Sequence, residues 1–334
     1  MRLVTRADFD GLVCGALITK FEPIDDYLFV EPKFMQDGQV DIRAGDIIAN
    51  LPYHPSCTLW FDHHITNIPA WAQYSAAPAG SPTSPSNAGE AGPGDRHALI
   101  MPGKGAFRLA PSAARVVCEY YTNISKPGDP EGAARLKFLN DDRILYLLQE
   151  TDKIDSGKLA REDVLNPHGY VLISMTTDGR YAGDEPYWLR VIELVRERPL
   201  HAVLEDPEVK RRCRAVLEQQ DKLREILLQR ASLKRNVIYV DLRGIPDVPE
   251  GNRFLIFTLF PHGNIQVKVA YDTQRENTTA ISVGYNIFNP TSKVNVGELL
   301  TSYGGGGHKV VGSCRVPNDG AEQAIKEIVA AVTE

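Results

Sequence analysis

The sequence predicts an α/β protein in two parts, an N-terminal parallel sheet with its polar residues gathered at one edge and a smaller second domain built on a mixed or antiparallel sheet. Three observations lead there. Short apolar runs near the start alternate with helical stretches, and several of them end abruptly in Asp, His or Asn. From Asn236 the composition changes, and strand-like runs follow one another with turn residues between them.

Residues 3–5 read as an opening strand and 12–21, small and apolar, as a packed helix. Arg6-Ala7-Asp8-Phe9-Asp10-Gly11 lies between them, so Asp8 and Asp10 sit in a strand-to-helix loop where alternate carboxylates can point the same way. Gly11 lets the backbone turn tightly behind them. Helix capping by an aspartate accounts for one of the pair and leaves the other. Residues 27–31 read as the second strand and 46–51 as the third, stopped by Pro52. The fourth, Thr58-Leu59-Trp60-Phe61, runs straight into Asp62-His63-His64. A carboxylate beside two imidazoles is a donor set for Mn²⁺, Fe²⁺ or Zn²⁺, although such a triplet also suits a solvated turn. Three of four strands thus end in residues able to bind a metal, and a parallel sheet collects such ends at one rim.

Residues 75–95, rich in Ala, Pro, Ser and Gly, read as a flexible surface excursion in preference to a flap. Helices follow over 112–121 and 136–150. The second leads to Asp152 and Asp155, acids that oppose the dipole at a helix C-terminus and so become candidates for a ligand role. His168 reads as a surface or hydrogen-bonded histidine in preference to a ligand. Residues 193–198 and 207–235 read as charged helical stretches, the second long enough to bridge two domains, with Lys210, Arg211, Arg212 and Arg214 diluted by neighbouring acids. Strands are expected over 237–242, 254–260, 265–271 and 278–285, and a short helix over 296–303. Four glycines, Gly304 to Gly307, then precede His308, and exposed N–H groups in such a loop form an anion cradle more readily than a linker.

Composition narrows the function classes. The 334 residues are 43% hydrophobic and 24% charged, with net charge −6, so the chain has no global positive field and any phosphate must be met by local cations or metals. Long nucleic acid gripped along its backbone is disfavoured. Five dispersed cysteines form no C-x-x-C pair and read as buried thiols in a reducing compartment. The charged N-terminus and the absence of a long apolar run give a cytoplasmic expectation with no membrane association.

With Asp8-x-Asp10-Gly11, Asp62-His63-His64 and Gly304 to His308 in that order, the chain resembles the DHH family of phosphoesterases, in the branch with the DHH-associated C-terminal domain and its exopolyphosphatase-related group. The resemblance implies a DHH domain over 1–190, a helical linker over 191–235 and a substrate-binding domain over 236–334, with the active site in the cleft between the domains. It implies Asp8, Asp10, His63 and Asp152 as ligands of one or two divalent ions, Mn²⁺ foremost, with Asp62 orienting its neighbours. His64, Arg6, Gly305, Gly306 and His308 would face the substrate. Many members carry a histidine two or four positions before the first Asp pair, where this chain has Arg6 and Val4. The family's metal-bridging aspartate matches Asn50, a neutral and weaker ligand. Tyr285 stands where related sequences often have histidine, and Lys309-Val310-Val311 where they have small residues.

The resulting expectation is a metal-dependent phosphoesterase acting by metal-activated water on a small phosphorylated substrate: a short oligonucleotide, dinucleotide, nucleoside bisphosphate or polyphosphate end. Short nucleic acid fits as a partner and long duplex does not; the oligomeric state stays open, a homodimer included. The alternative is a nucleotide- or phosphate-binding protein whose catalysis is weakened by Arg6 and Asn50.

Overall fold

Short apolar strands whose side chains are covered on both faces need helices above and below them, and the first part of the chain supplies both. In the computed structural model, residues 1–67, 99–101, 104–177, 182–273 and 275–334 are described; the 75–95 stretch lies outside them. The chain forms two units, Met1–Lys158 with His168–Arg212, and Leu159–Pro167 with Cys213–Glu334.

In the first unit, β1 (Arg2–Thr5), β2 (Asp26–Phe29), β3 (Asp46–Ala49), β4 (Leu59–Asp62), β5 (Leu99–Met101) and β6 (Gly105–Phe107) form one sheet in the order β2-β1-β3-β4-β6-β5. All neighbours run parallel except β5, which pairs antiparallel with β6 at the edge. Because β2 lies on one side of β1 and β3 on the other, the winding reverses between β1 and β3, the place where open parallel sheets take their ligands. Leu3, Val4, Ile47, Ile48, Trp60 and Phe61 are buried in that sheet. α1 (Phe9–Phe21) is buried at every residue from Phe9 to Ile18, since it packs against α3 (Ala113–Ile124), α5 (Asp142–Asp155) and α8 (Glu185–Glu197). That explains its largely apolar sequence, in which Asp10 is the buried exception.

The stretch 136–150, expected as one helix, is divided between α4 (Pro130–Leu139) and α5. Asp141 makes the division: its side chain accepts from the Arg143 N–H and starts a new helix.

In the second unit, β7 (Ala231–Lys234), β8 (Val237–Asp241), β9 (Ile265–Tyr271), β10 (Thr278–Tyr285), β11 (Gly306–His308) and β12 (Val311–Pro317) form a mixed sheet ordered β11-β12-β10-β9-β8-β7, parallel only between β8 and β9. Ile265, Val267 and Val269 alternate inward and join a core with Ile325 and Ile328 of α13 (Ala321–Val332). Two expectations are corrected here. Residues 254–260 contain a short helix, α11 (Leu255–Leu259), and no strand; an unbroken apolar run carries no period to tell the two apart. The helix begun at Pro207, α10 (Pro207–Arg230), stops before 231–234, which instead pair with β8 through a turn where Arg235 has φ 55°. Among the described residues no helix is long and apolar enough to cross a membrane.

Candidate active site

Three strand ends and one helix end supply the side chains. The loop after β1 carries Arg6 and Asp8, and Asp10, expected in that loop, lies in the first turn of α1; β3 is followed by Asn50; β4 ends in Asp62 and releases His63 and His64; α5 ends in Asp155. A Cβ on residue 11 would lie 2.3 Å from the Arg6 carbonyl oxygen, so only glycine lets the loop fold back this closely.

Asp10 is buried, and its two oxygens accept from the backbone N–H groups of Ala113 and Ala114 at 2.8 and 2.9 Å. The carboxylate therefore sits on the N-terminus of α3, where the helix dipole favours negative charge. Burial nevertheless pushes its pKa well up, with the charges of Asp155 and Asp8 adding to the rise and the two N–H groups opposing it. Asp155 is raised too, first by burial; His63 pulls it down and Asp8 pushes it up.

His63 joins these carboxylates. Its Nδ1 lies 2.9 Å from the Ala110 carbonyl, which can only accept, so Nδ1 carries the hydrogen and Nε2 of the neutral ring holds a lone pair. Nε2 is buried without a hydrogen-bond partner, 3.4 Å from Asp155 Oδ2 and 3.8 Å from Asp10 Oδ2. A bare lone pair facing two carboxylates is repulsive until a proton or a cation stands between them. Asp10, His63 and Asp155 have ligand atoms within 4.8 Å of one another, a set of two hard oxygens and an imidazole nitrogen that fits a divalent ion.

Asp62, His63 and His64 form a second group of that compactness, but both Asp62 oxygens and both Nδ1 atoms in it are already engaged. Asp62 is fully buried; Oδ1 pairs with His64 Nδ1 at 2.8 Å and Oδ2 accepts from Asn67 Nδ2 at 2.6 Å. Burial lowers the His64 pKa, yet the Asp62 hydrogen bond and charge outweigh it, and the net shift is upward. This pairing holds the ring with Nδ1 toward Asp62 and Nε2 free.

The structure does not bring Asp152 into the cluster, contrary to the expected ligand set. Its carboxylate is gripped by Arg115 Nε and Nη2 at 2.9 and 2.6 Å and accepts from Ser112 Oγ at 2.6 Å. That clamp ties α5 to the N-cap of α3, because Ser112 Oγ in turn accepts from the Arg115 N–H. Asp155, one turn further on, faces His63 instead.

Asp8 is near but differently occupied. Oδ1 caps α1 through the Gly11 N–H at 2.9 Å and accepts from Asn50 Nδ2 at 3.0 Å, and Oδ2 forms a 2.7 Å ion pair with Arg6 Nη1. Arg6, Gly305, Gly306 and His308 were all expected at the substrate. Arg6 belongs to the first unit; the other three belong to the second, where Gly306 and His308 lie in β11. The Gly304 and Gly305 N–H groups donate to the Thr301 and Leu300 carbonyls at the end of α12 (Val296–Thr301), so neither is open to an anion. A Cβ on residue 305 would lie 2.3 Å from the Ser313 carbonyl oxygen, while nothing lies within 4 Å of one on residue 306.

No protein-family model matches the chain, and no curated protein matches it. Among solved structures, the pGpG-specific phosphodiesterase PggH from Vibrio cholerae is 30% identical over 99% of both chains, with a TM-score of 0.74. The DHH domain of a member of the S1p family of ribosomal proteins is 15% identical over 100% of this chain and 87% of its own, with a TM-score of 0.51. RecJ from Thermus thermophilus, in complex with Mn²⁺, is 14% identical over 98% of this chain and 52% of its own, with a TM-score of 0.50. The chain belongs to the DHH family of phosphoesterases.

Proposed function

We propose that the chain is a metal-dependent phosphodiesterase for a short linear nucleotide, with a guanine dinucleotide bearing a 5′-phosphate as the first substrate to test. The observation that carries the metal reading is the bare Nε2 of His63 between Asp10 and Asp155. Its similarity to PggH along the whole chain supports the substrate class.

Asp10, His63 and Asp155 would hold the ion. A divalent metal there supplies Lewis acidity, which lowers the pKa of water and neutralises phosphate charge. The α3 N-terminus fixes Asp10, the Ala110 carbonyl fixes the His63 tautomer, and Arg115 with Asp152 keeps the end of α5 in place. In hydrolysis a water oxygen forms a new bond to phosphorus and loses a proton to bulk water while the bond to the leaving nucleoside oxygen breaks. The leaving oxygen then needs a proton. His64, held at Nδ1 by Asp62, whose hydrogen bond and charge favour the protonated ring, would deliver it from Nε2. The Arg6 guanidinium adds positive charge for the phosphate.

Incubation with pGpG and Mn²⁺ should release GMP, and a chelator should stop it. A panel of other linear and cyclic dinucleotides, 3′-phosphoadenosine phosphate, pyrophosphate and polyphosphate defines the range. Failure to turn over any of them with Mn²⁺ or Mg²⁺, together with retained phosphate-ligand binding, would favour the binding-protein reading, which the engagement of Asp8 by Arg6 and Asn50 also suits.

A further inference from the structure

We infer that Arg6 is a built-in cation that satisfies Asp8 permanently, so that this centre takes one divalent ion per chain and has no place for a second. The inference rests on the metal assignment proposed above and specifies it.

The hydrogen bonding of Asp8 comes first. Of the carboxylates in this corner of the sheet, Asp10 and Asp155 face the unpartnered His63 Nε2, but Asp8 belongs to neither compact ligand group among the described residues. Its oxygens are taken by a backbone N–H, an amide and a guanidinium, at 2.9, 3.0 and 2.7 Å. Three of the roughly four lone-pair positions of Asp8 are thus filled, and a metal approaching the remaining one on Oδ2 would stand beside the Arg6 guanidinium and be repelled by it. Asn50 gives its Nδ2 to Asp8, and its Oδ1, buried without a partner among the described residues, offers at this strand end only a neutral amide oxygen in place of a charged ligand.

Charge balance points the same way. Asp10 and Asp155, the carboxylates that face the bare His63 Nε2, bring two negative charges for one divalent ion to cancel, while Asp8 is already matched by Arg6. Asp62 stands outside this count because it is matched by His64 and Asn67. Arg6 is within the electrostatic reach of all three carboxylates: burial alone would depress its pKa, and Asp8, Glu31, Asp155 and Asp10 more than reverse that. Its Nη2 lies 3.5 Å from Glu31, and its Nε is buried without a partner among the described residues, a donor left for an incoming anion.

The test counts metal, independently of activity. The native chain, saturated with Mn²⁺ and freed of excess by gel filtration, should carry one ion by elemental mass spectrometry and show the electron paramagnetic resonance spectrum of isolated Mn²⁺. Arg6→His combined with Asn50→Asp removes the fixed cation and adds a carboxylate, and should raise the count to two with a spin-coupled spectrum; Arg6→Ala serves if the double variant does not fold. Two coupled ions on the native chain overturn the inference, and so does a count that stays at one after Arg6 is replaced. A native count of zero would instead overturn the metal assignment beneath it.

Discussion

The Asp155 carboxylate stands 3.4 Å from His63 Nε2, although neither residue neighbours the other in sequence or shares an element with it. Asp152, three residues earlier on the same helix, is held by Arg115. The two aspartates should therefore respond differently to amidation. Asp155→Asn should reduce kcat by about 100-fold or more and weaken Mn²⁺ binding, in keeping with loss of a metal ligand. Asp152→Asn should retain the metal and lower stability by about 1–3 kcal/mol through loss of a partly buried charged hydrogen bond. Metal titration and thermal melts on both variants distinguish the roles; the reverse pattern would restore Asp152 as the ligand.

The raised carboxylates set a pH dependence. Asp10 and Asp155 have folded pKa values above their unfolded ones, so in metal-free protein their protonated forms add stability at low pH, and that contribution is lost as pH rises from about 4 through the raised values. Metal-free Asp155→Asn, unable to ionise at that position, should melt higher than metal-free native protein at pH 8, and the gap should close by pH 4. Bound Mn²⁺ should stabilise the native chain more at pH 8 than at pH 5. Melting curves with and without chelator across this range test both signs.

His64 should matter to turnover but not to metal retention. Its Nδ1 is spent on Asp62 and its Nε2 is free, so His64→Gln should lower kcat by about 100-fold, the range for loss of a general acid. The Mn²⁺ count should stay that of the native chain. A variant with native kcat would remove His64 from the reaction.

All five cysteines are buried and free, and burial pushes Cys57, Cys213 and Cys314 each up to about 11. The thiolate is the reactive form, so little of it exists at pH 8. Ellman's reagent should label the native protein slowly at that pH, faster as pH climbs, and five thiols at once in denaturant.

Part of the candidate site was legible because polar residues follow the apolar strands closely: Asp8 and Asp10 come soon after β1, Asp62 closes β4 and His63 follows it. That Asp155, and not Asp152, faces His63 was harder to read. The choice depends on the phase of α5, which Asp141 sets by starting a new helix, and on Arg115, a partner 37 residues away that claims Asp152. Residue pattern alone also left the helix at 255–259 indistinct, since a run apolar at nearly every position fits a buried helix or a buried strand. The glycine loop was read as an anion cradle; two of its N–H groups turn out to close a helix, a use decided by where α12 ends.

The segment Leu159–Pro167 is counted with the second unit although the chain returns to the first at His168. Val164 within it is fully buried beside Leu227, Ile238 and Val240, and Gln220 donates to its carbonyl. A truncated protein ending at Arg212 would retain this apolar strip and lose everything that covers it, making the fragment prone to aggregate. Dissecting the molecule into separately expressed halves requires removing the strip from one half and supplying it to the other as a peptide.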